Sequence, residues 1–347
     1  MMFVKKSTTA MLALILFVGL IEVPAGQAQQ VKKVGTSAAA FLRIPAGARG
    51  TAMGSAFVAT ANDASAMYWN SAGLANLSRI SLLVDHSSWL AGLNYNYFAL
   101  AIPMGDQGTV GINVAALSTE KMLVTTVEQP MGTGATFDAS SVAVGVAYAR
   151  ALTNKFSIGA NVKFIQERIF NSKAIGFAID LGTLYVTPFD GIRLGVNISN
   201  FGTDLRMDGE DLNIRVDVAP EQEGNNQSVV GRLKTDNFSA PLLMRVGLAW
   251  DAFASESHRL TLALEGLNPN DNTQSVNVGA EYAMLNNMLV LRGGLSELFL
   301  DERERNFSLG IGVNFSMQTG VAIAASYSYQ DFVHLNSISK FTLEVQF

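Results

Sequence analysis

The run DHSSW (residues 85–89) sets a carboxylate, an imidazole and two hydroxyls side by side, the parts of a hydrolytic relay. Neighbouring residues on a strand project to opposite faces, so this spacing does not assemble one. The sequence holds three histidines (His86, His258, His334) and no cysteine. A thiolate nucleophile, a disulfide framework and a lipidated cysteine are therefore excluded. GTGA (132–135) lacks the strand-to-helix context that cradles phosphate. The acidic run DLRMDGEDLNIRVD (204–217) lacks the ligand spacing of a calcium loop. No catalytic residue, metal ligand or cofactor is assigned. With 24 basic and 29 acidic residues the chain is net acidic, which leaves no footprint for nucleic acid.

A second set of charged residues is more informative. Lys163, Arg193, Arg245, Glu265, Glu281 and Glu344 each interrupt an alternating apolar segment, on the face opposite its large side chains. Charges in a confined interior must pair or meet water, because leaving them bare costs on the order of several kcal/mol. Arg193, Arg245, Glu265 and Glu281 are thus expected either to pin a segment inside an enclosed space or to line a channel.

The elements that carry these charges alternate with period two. In SVAVGVAYA (141–149), Val142, Val144, Val146 and Tyr148 oppose Ser141, Ala143, Gly145 and Ala147. In NFSLGIGVNFS (306–316), Phe307, Leu309, Ile311, Val313 and Phe315 oppose Ser308, Gly310, Gly312 and Asn314. PLLMRVGLAWD (241–251) and IRLGVNIS (192–199) repeat the pattern. The chain is 49% hydrophobic, yet beyond its first residues no apolar run approaches the ~20 needed for a membrane helix. Greasy residues on one face and small or polar ones on the other describe strands with lipid outside and a lumen inside.

Fourteen such segments begin near residues 79, 92, 108, 139, 154, 173, 191, 240, 258, 274, 287, 306, 320 and 338. Every second connection is short (MGDQ, LTN, PFDG, FASES, LNN, MQT), and the others include the longest, 119–138, 201–239 and 297–305. That is the asymmetry of periplasmic turns and outer loops. Tyr95, Tyr97, Trp250, Tyr327 and Tyr329 are expected in interfacial girdles. The expected fold is all-β: a transmembrane antiparallel β-barrel of about 14 strands over residues 79–347, with an N-terminal hatch inside the lumen. The final strand, ISKFTLEVQF, ends in Phe347, a terminal residue of the kind that outer-membrane assembly machinery reads.

Lys5 and Lys6, the apolar core from Met11 to Ile21 and the small residues Gly26 and Ala28 form a secretory signal peptide over residues 1–28. This address places the chain in the outer membrane of a diderm bacterium, with lipid as its surroundings. Residues 29–78 are rich in Gly, Ala and Ser, with a few aromatics, and are expected to fold inside the lumen as a plug. Asp63 is expected to cap a helix over Ala64 to Tyr68, and Gly73 to end it or turn the chain.

GARGTAMGSAFVATANDASAMYWNSAGLA (47–75) resembles the N-terminal signature of the PorV/PorQ family, whose barrels are similar to the FadL long-chain fatty-acid transporters. Two positions depart from that signature: Ser71 stands where the family usually has Pro, and Ser55 where it usually has Gly. The resemblance implies a 14-strand barrel with a hatch. It implies one of two roles: passage of small hydrophobic molecules, or binding of secreted cargo proteins in type IX secretion. For the first, Phe57, Asp63, Tyr68, Trp69, Asn70 and Gly73 are the hatch and ligand candidates. For the second, the long loops would dock the partner.

Overall fold

The computed structural model describes residues 34–221, 228–318 and 320–347. The expected signal peptide (1–28) lies outside them. Fourteen antiparallel strands close into a barrel: β1 (Ser81–Ser88), β2 (Asn94–Pro103), β3 (Thr109–Ser118), β4 (Ala139–Thr153), β5 (Phe156–Ile169), β6 (Ser172–Val186), β7 (Ile192–Gly202), β8 (Leu243–Ala254), β9 (Arg259–Pro269), β10 (Ser275–Met284), β11 (Leu289–Leu298), β12 (Arg305–Ser316), β13 (Ala322–Phe332) and β14 (Ile338–Gln346). Each pairs with its neighbour in sequence. The ring closes where β1 meets β14, from Ser81 opposite Gln346 to Ser87 opposite Lys340. Closure leaves no free sheet edge, the requirement for strands in lipid.

The period-two pattern puts the large residues outside. Val144, Val146 and Tyr148 of β4 and Ile175, Phe177, Ile179 and Leu181 of β6 are exposed, while Ala143, Ala147, Ala174 and Ala178 are buried. One end of the barrel carries the short connections. The other carries 119–138 and 203–242, which fold back as small hairpins: Met122–Leu123 on Thr136–Phe137, and Asn213–Val216 on Val229–Arg232.

Two of the five aromatics expected in girdles do not lie there. Tyr95 and Tyr97 are buried and face the lumen, sharing the phase of Ala99 and Ala101, whereas Phe98 and Ile102 hold the exposed face of β2. Trp250, Tyr327 and Tyr329 are partly exposed on the other face, where Tyr327 packs on Phe341 and Tyr329 on Phe307.

Residues 34–78 contain no strand. Short helical turns at Ala40–Arg43, Ala48–Ala52, Ala66–Trp69 and Ser71–Asn76 alternate with irregular backbone, most of it buried. This segment packs on the inward faces of the strands, which explains several of the lumen's glycines. A Cβ on Gly159 (β5) would lie 2.4 Å from the carbonyl carbon of Ser71, and one on Gly279 (β10) 2.3 Å from the carbonyl oxygen of Met53. The backbone of the segment therefore occupies the space that side chains would need.

Candidate functional site

Many polar groups of the segment find partners, mostly on the barrel wall, at four levels. At the long-loop end, Asp271 accepts hydrogen bonds from Ser37 Oγ (2.6 Å) and Arg43 Nη1 (2.7 Å). Close by, the Ala39 amide donates to Glu167 and the Ala38 amide to the Ser239 carbonyl. Residues 36–44 thus form a strap across that end of the barrel.

The second level is an aromatic centre. Trp69 is fully buried, and its indole N–H donates to the Ala46 carbonyl (2.8 Å). Phe57 and Tyr68 meet it edge to face at 5.6 and 4.9 Å. The Arg245 guanidinium lies over both Trp69 (4.9 Å) and Tyr68 (5.3 Å). Glu265, 3.8 Å from Arg245, accepts from the Phe57 and Val58 amides at 2.8 Å each. Its carboxylate does for two orphan amides what water would do outside.

The third level straddles the β1–β14 seam. Lys340 Nζ donates to Asp85 (3.0 Å) and to the Pro45 carbonyl (2.7 Å), and sits 4.6 Å from the Tyr95 ring. Asp85 also accepts from the Gly47 amide (3.1 Å) and from Thr342 Oγ1 (2.6 Å). Asp85 faces inward while His86 faces out, its Nδ1 2.8 Å from Asn96 Oδ1. The strand geometry separates the members of the DHSSW run.

The fourth level lies toward the short-turn end. Three guanidiniums converge on Glu281: Arg49 (2.8 Å), Arg292 (2.8 Å) and Arg259 (3.2 Å). Arg49 belongs to the segment and also pairs with Asp63 at 3.1 Å. Burial works against its charge, but Glu281 and Asp63 outweigh burial and raise its pKa, so Arg49 is a fixed cation. A polar cavity of about 170 Å³ opens beside this cluster.

Of the charges singled out in the sequence, Glu265, Glu281, Arg245 and Glu344 touch the segment, Glu344 by accepting from the Ala64 amide (3.4 Å), while Lys163 pairs with Asp180 on the wall. Arg193 does not touch the segment: it forms a two-point pair with Asp251 at 3.0 Å. Asp63 accepts from the Ser65 amide (2.9 Å), so the helix starts at Ala66, with Ser65 at its cap, and ends at Trp69. Asn70 ties the segment to the wall, donating to the Val58 carbonyl within the segment and to the Thr183 carbonyl of β6 at 2.9 Å each, and accepting from the Ala72 amide. Gly73 does not end a helix. It sits inside the turn Ser71–Asn76, where a Cβ would lie 2.0 Å from the Ala61 carbonyl oxygen. Lys340, Arg49, Arg292 and Asp271 escaped the sequence reading, and Asp85 was considered there only as a member of the DHSSW run. Lys340 shares its strand face with Glu344, and that shared phase was the available signal.

A second cavity, about 20 Å³, lies between the strap and the aromatic centre. Leu42, Met67, Tyr68, Tyr97 and Arg245 are among its walls. Among the described residues no group of acids and histidines is placed to hold a metal.

An uncharacterised protein family, UPF0164, matches residues 18–168, a stretch that ends in β5. No curated protein matches the chain. Three solved structures are similar to it in fold. The Ralstonia pickettii toluene transporter TbuX is 15% identical, covers 86% of this chain and 97% of its own, and has a TM-score of 0.55. The Pseudomonas putida toluene transporter TodX is 14% identical, with 86% and 96% covered and a TM-score of 0.54. A Pseudomonas aeruginosa FadL homologue is 12% identical, with 86% and 97% covered and a TM-score of 0.50.

Proposed function

We propose that this chain is an outer-membrane channel for small, largely apolar molecules, and that residues 34–78 are the plug controlling passage. The observation that carries the reading is the second cavity. It lies inside a lipid-facing barrel, between a strap at the long-loop end and an aromatic centre, where Leu42, Met67, Leu243 and three tyrosines meet polar groups that include Lys163, Asp180 and Arg245. That is the make-up of a site for small organic molecules. Fold likeness to proteins named toluene transporters supports the same reading. On this account a molecule enters from the long loops, displaces the strap, rests against Tyr68, Trp69 and Phe57, and leaves when the plug shifts. The plug stays seated otherwise, because Glu265, Glu281 and Lys340 hold its backbone and Arg49.

Uptake of a radiolabelled monoaromatic compound into proteoliposomes carrying the full mature chain tests the reading. Uptake well above that of protein-free vesicles is expected. Uptake at the vesicle background, together with a secreted protein retained through purification, would replace the channel by a PorV-type cargo platform.

A further inference from the structure

The wall of the second cavity contains an anomaly. The hydroxyls of Tyr68 and Tyr97 and the Nε and Nη1 of Arg245 are buried with no hydrogen-bond partner among the described residues. Arg245 and Tyr97 are 5% and 2% exposed. Buried polar groups are normally paired, and a group of unpaired ones facing the same cavity calls for a cause. On the cavity wall itself Lys163 pairs with Asp180 at 2.7 Å and Asn161 donates to the Met67 carbonyl, whereas behind Arg245 the Glu265 Oε1 and the side-chain amide of Asn197, opposite Arg245 on β7, are also without hydrogen-bond partners.

Charge decides what the missing partner is. Arg245 already has Glu265 as counter-ion at 3.8 Å, and Lys163 has Asp180. A ligand carboxylate would add a third negative charge beside two that are balanced. A plain hydrocarbon would leave all three side chains unpaired. The donors on hand, a guanidinium and two phenols, match a neutral oxygen acceptor.

Building on the channel reading, we infer that the cavity selects small neutral molecules bearing a carbonyl or similar oxygen, held by Arg245, Tyr97 and Tyr68. At about 20 Å³ the closed cavity has room for roughly one water, whereas an aromatic ring needs about 150 Å³. Binding therefore requires Leu42 and the rest of the strap to withdraw. The ligand's ring then takes the vacated space beside Met67, and its oxygen points at the three donors.

The test is a matched series on the purified full mature chain in lipid nanodiscs: acetophenone, ethylbenzene and benzoate, followed by tryptophan fluorescence, since Trp69 adjoins the site. Acetophenone is expected to bind at least about tenfold more tightly than ethylbenzene, which has the same shape without the oxygen. In Tyr97→Phe and in Tyr68→Phe that ratio is expected to fall toward one. Equal or tighter binding of ethylbenzene overturns the inference, and so does tighter binding of benzoate. Either result leaves the channel reading standing. Failure of all three to bind, with no proteoliposome uptake, overturns both. Should the variants not fold, the wild-type series alone still decides.

Discussion

Ser55 and Ser71 are where residues 47–75 depart from the PorV/PorQ pattern that they resemble, and the structure gives each departure an energetic meaning. Ser55 holds a left-handed φ of 63°, and its hydroxyl is buried without a partner. Ser55→Gly removes both penalties and is expected to stabilise the chain by about 0.5–1 kcal/mol. Ser71 opens a helical turn, follows an extended Asn70 (φ −166°, ψ 100°), and also buries an unpartnered hydroxyl. A proline fits the first position of such a turn, so Ser71→Pro is expected to add about 0.4–1 kcal/mol. Urea unfolding in lipid checks both, and a lowered midpoint for either variant would contradict this account. Glu265→Gln acts in the opposite sense. It removes the charged acceptor of two amides and strands Arg245, at a cost of about 2–4 kcal/mol, read as faster amide exchange at Phe57 and Val58. The sequence showed Glu265 and Glu281 through their phase on their strands. The same phase would have placed Tyr95 and Tyr97 in the lumen, because they share their strand face with Ala99 and Ala101. Proximity to a strand end suggested a girdle, but phase decides which face a ring occupies.

Among the elements, the strands were legible and the plug's turns were not. Strand starts follow from alternation, which is local, and parity of the connections fixed their number. The turns of residues 34–78 follow from contacts with the wall, and no short window encodes those. Asp271 illustrates the difference: it anchors Ser37 and Arg43, more than two hundred residues away. Asp271→Ala is expected to free the strap while leaving the barrel closed. Limited proteolysis should then cut within residues 36–44, and uptake should rise several-fold. Gly159→Leu is a harsher perturbation, since its side chain would collide with the backbone at Ser71 and Ala72. The expected result is a dislodged plug in an intact barrel, seen as ion conductance in planar bilayers where the parent chain is quiet.

For the molecule as a whole, the seam and residues 45–47 are one hydrogen-bonded unit. Lys340 of the last strand binds Asp85 of the first and the Pro45 carbonyl, while Asp85 holds the Gly47 amide. Lys340→Met leaves Asp85 buried and uncompensated and is expected to cost about 3–5 kcal/mol. Adding Asp85→Leu should recover much of that loss, and the coupling is measurable by a double-mutant cycle in urea. The same bonds constrain the order of assembly. Residues 34–78 are synthesised before the strands and β14 after the other thirteen, yet Asp85 of the first strand has no cation until Lys340 arrives. A chain cut short before Ile338 would therefore stay an unsealed ribbon, open to proteases, and would not become trapped as a leaking ring in the membrane.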